Sequence, residues 1–194
     1  LYNSSVGRGS VHHAWRPPRL LIEGDKQAVC NCTAGMAAPR RFGPIDLEPA
    51  QLLYRLVRHF GCRLPESISH YIRWKPRRFN QRADWLANQA VIQRDSTMDT
   101  NPIHIRALFH KCYTNRDTAL HVSFDGSFNG LQGGAGFCIG AYLHKREYVV
   151  LVEGSQFLPE CRDAYVAERV ALQSSLVMLL ELFSMYHSAL AELR

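Results

Sequence analysis

RRFNQRADWLANQA (77–90) sits ahead of the midpoint of a 194-residue chain. A basic run, an Asn and then Ala-Asp-x-Leu-Ala predict a helix over 81–93, with Ala83, Leu86, Ala87, Ala90 and Val91 on one side. Asp84 falls in the first turn of that helix, where the dipole favours an acid whatever its role. Just upstream, ISHYIRW (68–74) is strand-like, and RWKPRR (73–78) concentrates positive charge between strand and helix.

Further towards the N-terminus, RLLIEG (19–24) is a short apolar run ending at Gly24-Asp25, the pattern of a buried strand. KQAVCNCTAGM (26–36) reads as a short helix stopped by Gly35. DLEPAQLLYRLVRHFG (46–61) is a clear helix: Asp46 can cap it, Pro49 sits in its first turn, and Leu52, Leu53, Leu56, Val57 and Phe60 share a face. Residues 1–18 read as a loose lead-in. Residues 94–118 read as a linker whose one apolar patch, IRALF (105–109), allows a helical turn.

Towards the C-terminus the pattern changes. ALHVSFDGS (119–127) alternates, GGAGFCIGAY (133–142) and REYVVLVEGSQF (146–157) follow at hairpin spacing, and 163–193 is a long helical run. There is no internal repeat.

Composition bounds the function. An apolar fraction of 46% and a charged fraction of 21% are those of an ordinary globular chain with a real core. Net charge +6 and a pI of about 9.2 favour an anionic partner, nucleic acid first, although a solvated basic loop has the same signature. Six cysteines without a C-x-x-C pair or clustered His indicate reduced, mostly buried thiols and argue against a zinc site. Two sequons, at Asn3 and Asn31, are short enough to be chance. The apolar runs are too short to span a bilayer; an intracellular protein, nuclear or cytoplasmic, without a membrane partner is expected. Leu1 in place of Met suggests a segment of a longer chain.

FDGSFNG (124–130), GGAGFCI (133–139) and DAYVAERVAL (163–172) together resemble the opening of the ribonuclease H family, especially its reverse-transcriptase-like branch. LLIEGDKQAV (20–29) is similar to that family's fourth strand, and RWKPRRFNQRADWLANQAV (73–91) to its fifth strand and last helix. The matched regions cover roughly three quarters of the chain, and Asn80 through Ala87 is the most diagnostic. The family's order of acids is Asp, Glu, Asp, Asp, whereas here it is Asp25, Asp84, Asp125, Glu168. The later half of the fold precedes the earlier half.

The resemblance implies an α/β three-layer fold with a five-stranded mixed sheet and helices on its faces. Residues 1–94 would supply the C-terminal half, 95–118 a linker and 119–194 the N-terminal half. The chain is then a circular permutant forming one joint domain, or a window on two tandem domains. The roughly 25-residue connection reaches up to about 80 Å, so geometry permits the first. It further implies Mg²⁺-dependent hydrolysis of the RNA strand in RNA–DNA hybrids, with Asp125, Glu168, Asp25 and Asp84 holding two Mg²⁺ ions about 4 Å apart, or Mn²⁺ in their place. Hard cations require oxygen ligands, and four converging acids require cations. Gly126, Ser127, Arg73, Lys75, Arg77, Arg78 and Asn80 would contact nucleic acid, with 2′-hydroxyl contacts near Gly126–Ser127 and Glu168 selecting RNA.

Taken singly, each acid has an ordinary role. Asp125 can be a turn residue, Glu168 an exposed helix acid and Asp25 a cap. The loop before Asp84 lacks the His that many family members carry there, and His70 lies upstream on the strand. There is also no room between Gly61 and Ile68 for an extra basic helix. The alternatives are therefore a catalytically inactive, nucleic-acid-binding remnant of a retroelement, or another nuclease or transposase with the same fold. A monomer is expected, with a domain-swapped dimer at high concentration.

Overall fold

A computed structural model describes residues 18–26, 29–30, 47–60, 72–113, 118–144 and 147–191. Within them lie β1 (Arg19–Gly24), α1 (Leu47–Phe60), β2 (Ile72–Trp74), a 3₁₀ turn (Arg77–Phe79), α2 (Gln81–Gln93), β3 (Thr97–Thr100) and α3 (Pro102–Tyr113). β4 (Ala119–Phe128), β5 (Gly133–His144), β6 (Glu147–Leu158) and α4 (Ala164–Ala191) complete the described elements. The expectations for the lead-in, both sequons, Asp46, Gly35, Gly61, His70, Cys32 and Cys62 lie outside the described residues.

The six strands form one mixed sheet in the order β2-β1-β4-β5-β6-β3. β4 is the hinge between two pairing modes: antiparallel to β5, and parallel to β1 over six residue pairs from Arg19↔Ala119 to Gly24↔Phe124. β1 in turn pairs in parallel with β2. Elements from the two ends of the chain therefore share one sheet, and the alternation of β4 explains how. Leu120, Val122 and Phe124 are buried in the main apolar cluster, while His121, Ser123 and Asp125 point to the opposite face.

Helices cover both faces. Leu172, Leu176, Leu179 and Phe183 of α4 join Leu52, Leu53 and Leu56 of α1 in the main core. Among the described helices α2 lies alone on the other face, and its approach is close. A Cβ added at Gly134 would stand 2.1 Å from the carbonyl oxygen of Ala87, and one at Gly136 would stand 2.4 Å from that of Ala83. The Gly-rich β5 thus serves as a flat bed for a small-residue helix stripe, Ala83, Ala87 and Ala90. Arg94 ends α2 in the left-handed region at φ 54°.

Two expectations are corrected. Among the described residues the sheet has six strands, not five, because the segment expected to be a linker supplies β3, which pairs antiparallel with β6 from Thr97↔Ser155 to Thr100↔Val152. The same segment forms α3, twelve residues rather than a single turn. Asn101 and Pro102 are good helix-start residues, and the Asn101 side chain accepts a bond from the His104 N–H. Ile105, Leu108, Phe109 and Cys112 are buried, with Phe109 stacked on Tyr186 and edge-on to Phe183 of α4. Packing against α4, which local composition does not report, fixes this segment. Cys30, Cys112, Cys138 and Cys161 are buried thiols outside any disulfide, and no described helix is long and apolar enough to cross a membrane.

Candidate metal centre

Parallel pairing of β1 with β4 brings the C-terminal end of β1 beside the middle of β4, so Asp25 and Asp125 become neighbours although 100 positions apart. Glu168 comes from the first turns of α4. Its helix can approach because position 126 is glycine: a Cβ there would stand 2.1 Å from the Glu168 amide nitrogen. Asp25, Asp125 and Glu168 each offer a carboxylate oxygen, and these oxygens lie within 4.8 Å of one another.

Asp125 and Glu168 are 1% and 3% exposed, which makes their chemistry unlike that of surface acids. Burial raises both carboxyls above their ordinary range, and their closeness to each other and to Asp25 adds to the effect for Glu168. One Asp125 oxygen accepts the Gly126 N–H at 2.9 Å, while Asp125 Oδ2 and Glu168 Oε2 are buried without a hydrogen-bond partner. Orphaned, clustered carboxylate oxygens are the donor set a hard divalent cation takes. The residues fit one such ion.

Asp84, from the first turn of α2, stands against this trio: its carboxylate interacts directly with Asp125, raising that carboxyl further, and is also bonded by Arg77. Arg77 Nε donates to Asp84 Oδ1 at 2.9 Å, and its Nη2 donates to the same oxygen. The same Nε is 3.8 Å from Asp25 Oδ2. Four acids thus surround one place: Asp25 just beyond β1, Asp125 on β4 and Glu168 on α4 face one another, and Asp84 of α2 lies against Asp125 and is joined to Asp25 through a guanidinium.

The residues expected to touch nucleic acid separate into groups. Arg73 and Arg78 are exposed, with Arg78 lying 4.8 Å over the Phe79 ring. Lys75 is paired with Glu23 at 2.9 Å, and Arg77 with Asp84. Asn80 is 2% exposed and donates to the Phe124 carbonyl at 2.8 Å, tying the start of α2 to β4 one residue before Asp125. Ser127 donates to Asn88 of α2 at 2.6 Å.

Three features had no signature along the chain. Arg77 and Asp84 are seven residues apart, a spacing that predicts no contact. Arg82 pairs with Glu153 of β6 and lies 4.5 Å over the Trp85 ring, holding that aromatic outward. A cavity of about 290 Å³ opens on the α2 face, lined by Glu23, Lys75, Asn80, His121, Cys138 and Tyr148 among others. Alternation places Glu23, His121 and Cys138 on one face, yet only the register aligns them.

The fold and centre define an α/β protein with a buried carboxylate cluster able to hold a metal ion. No family model, no curated protein and no solved structure matches the chain.

Proposed function

We propose that the protein is a divalent-metal-dependent endonuclease of the ribonuclease H type, cutting the RNA strand of RNA–DNA hybrids, with the two halves of the fold in permuted order. The observation that carries this reading is the meeting of Asp25, Asp125 and Glu168 across the β1–β4 pair. The sheet supports it as well. Three antiparallel strands, β6-β5-β4, extended by two parallel ones, β1 and β2, are the arrangement the resemblance implies, with β3 as an added edge.

A Mg²⁺ ion held there would supply positive charge to a phosphodiester gaining charge in the transition state, and acidity to an attacking water. The chain's own residues do the rest. Asp125 and Glu168 present ligand oxygens from elements locked together at Gly126. Asp25 lies where it can hold or orient the water. Arg73 and Arg78 supply positive charge for the backbone of the hybrid. The backbone at Gly126, packed against Glu168, and the adjoining Ser127 are the groups this reading assigns to 2′-hydroxyl recognition.

The test is cleavage of an end-labelled hybrid. Cutting of the RNA strand in Mg²⁺ or Mn²⁺ is expected, with none in chelator and none of duplex DNA. Asp125→Asn removes charge with little change in volume, and it should abolish cutting while hybrid binding persists. Full cleavage by Asp125→Asn would sink the assignment. Hybrid binding without cleavage by the native protein would identify a binding remnant, and cleavage of duplex DNA another nuclease of the same fold.

A further inference from the structure

We propose that Arg77 is a built-in second cation of this centre. Its guanidinium stands between Asp25 and Asp84 and supplies the positive charge that a second metal ion would bring, so the centre binds one divalent ion rather than two. The inference rests on the nuclease reading above and refines it.

The carboxylates divide into two sets. Asp25, Asp125 and Glu168 have ligand oxygens mutually within 4.8 Å, and two of those residues carry orphaned buried oxygens. Asp84 stands outside that set, with Oδ1 accepting two N–H groups from Arg77. Arg77 reaches Asp25 as well, at 3.8 Å, so one guanidinium bridges Asp84, the acid outside the first set, to Asp25, a member of it.

The backbone sets the base of this side chain. Pro76 leads into the 3₁₀ turn, Phe79 N–H bonds the Pro76 carbonyl at 2.8 Å, and Asn80 N–H bonds the Arg77 carbonyl at 2.8 Å. Asn80 is itself held to β4 through the Phe124 carbonyl. Arg77 is therefore anchored at the mouth of the centre even though its side chain is 65% exposed.

An arginine cannot be deprotonated here, and bonding to Asp84 makes this one harder still to deprotonate. Its charge is present at every working pH. With all four acids ionised, Arg77 and one divalent ion leave a single net negative charge. A second divalent ion would meet a guanidinium on its ligands and would have to displace it.

Counting bound Mn²⁺ by electron paramagnetic resonance of the free ion tests this on the full chain. The native protein should take up one Mn²⁺ per chain, and Arg77→Gln and Arg77→Ala should each take up two. Arg77→Gln keeps most of the volume, so it reports even if the alanine variant folds poorly. Two ions in the native protein overturn the inference without the variants, leaving the nuclease reading intact. One ion in both variants also overturns it. No bound Mn²⁺ in any of the three overturns both this inference and the metal centre it rests on.

Discussion

Asp125 and Glu168 are built to be uncomfortable without a partner. Burial first, and then the neighbouring carboxylates (Asp25 and Asp84 for Asp125, Asp125 and Asp25 for Glu168), raises both above the unfolded carboxylate range near 4. In the window above that value the folded chain binds more protons than the unfolded one. The stability these groups contribute is therefore present at acid pH and lost as pH rises through their folded values. In chelator, the unfolding free energy from urea titration, and with it the midpoint, should fall between about pH 5 and pH 8, by on the order of 2 kcal/mol. Saturating Mg²⁺ should flatten the fall, because the cation then holds the ionised forms. The double variant Asp125→Asn, Glu168→Gln should remove this dependence in chelator. A native midpoint that instead rises across the window would contradict the burial of these charges.

Single residues also show how far sequence alone reaches. The four acids stand out because Asp-Gly-Ser, Ala-Glu and Ala-Asp-x-Leu-Ala carry their own local context. Arg77 was legible as a basic residue but not as the neighbour of Asp84, since a bridge across a 3₁₀ turn has no periodic signal. Asn80 looked like a surface contact in a basic run, whereas its amide is buried against Phe124. Polar residues in loops advertise exposure, and only the docking of another strand overrides it.

At the scale of elements, strands and helices with strong periodicity have nearly the expected limits. β1 and α2 match to the residue, and α4 falls within one residue at its start. The segment 95–113 departs from the linker expectation because Ser, Thr, Asp, Asn and Pro dominate its start, and an edge strand such as β3 is exposed along its whole length. What makes it structural is long-range: β3 on β6, and Phe109 between Phe183 and Tyr186. Phe109→Ala should therefore cost about 3–5 kcal/mol in chemical denaturation, the usual range for a buried phenylalanine. A change below about 1 kcal/mol would mean that α3 is a tethered passenger rather than part of the core.

For the whole molecule, neither half is self-sufficient. Residues 19–93 hold β1, whose parallel neighbour is β4, and α2, whose bed is β5. Residues 119–191 leave an edge of β4 open without β1, a strong liability to aggregation. Separate chains of 1–94 and 95–194 should be poorly soluble alone and should co-purify in equal amounts when co-expressed. Mn²⁺ binding should appear only in the complex, because Asp25 comes from one piece and Asp125 and Glu168 from the other. Two soluble, non-associating monomers would show that the shared sheet is not the stable form of the chain.

The pairing of Gly24 with Phe124 spans 100 positions and has a consequence in time as well as in space. A ribosome adding about 5–20 residues per second delivers the partner strand roughly 5–20 s after β1 has emerged. Through that interval Leu20, Ile22, Leu53 and Leu56, all fully or almost fully buried at the end, have no sheet to cover them. Nascent-chain yield should then depend on holdase chaperones that engage the first hundred residues, and the need should end once β4 and β5 have cleared the exit tunnel.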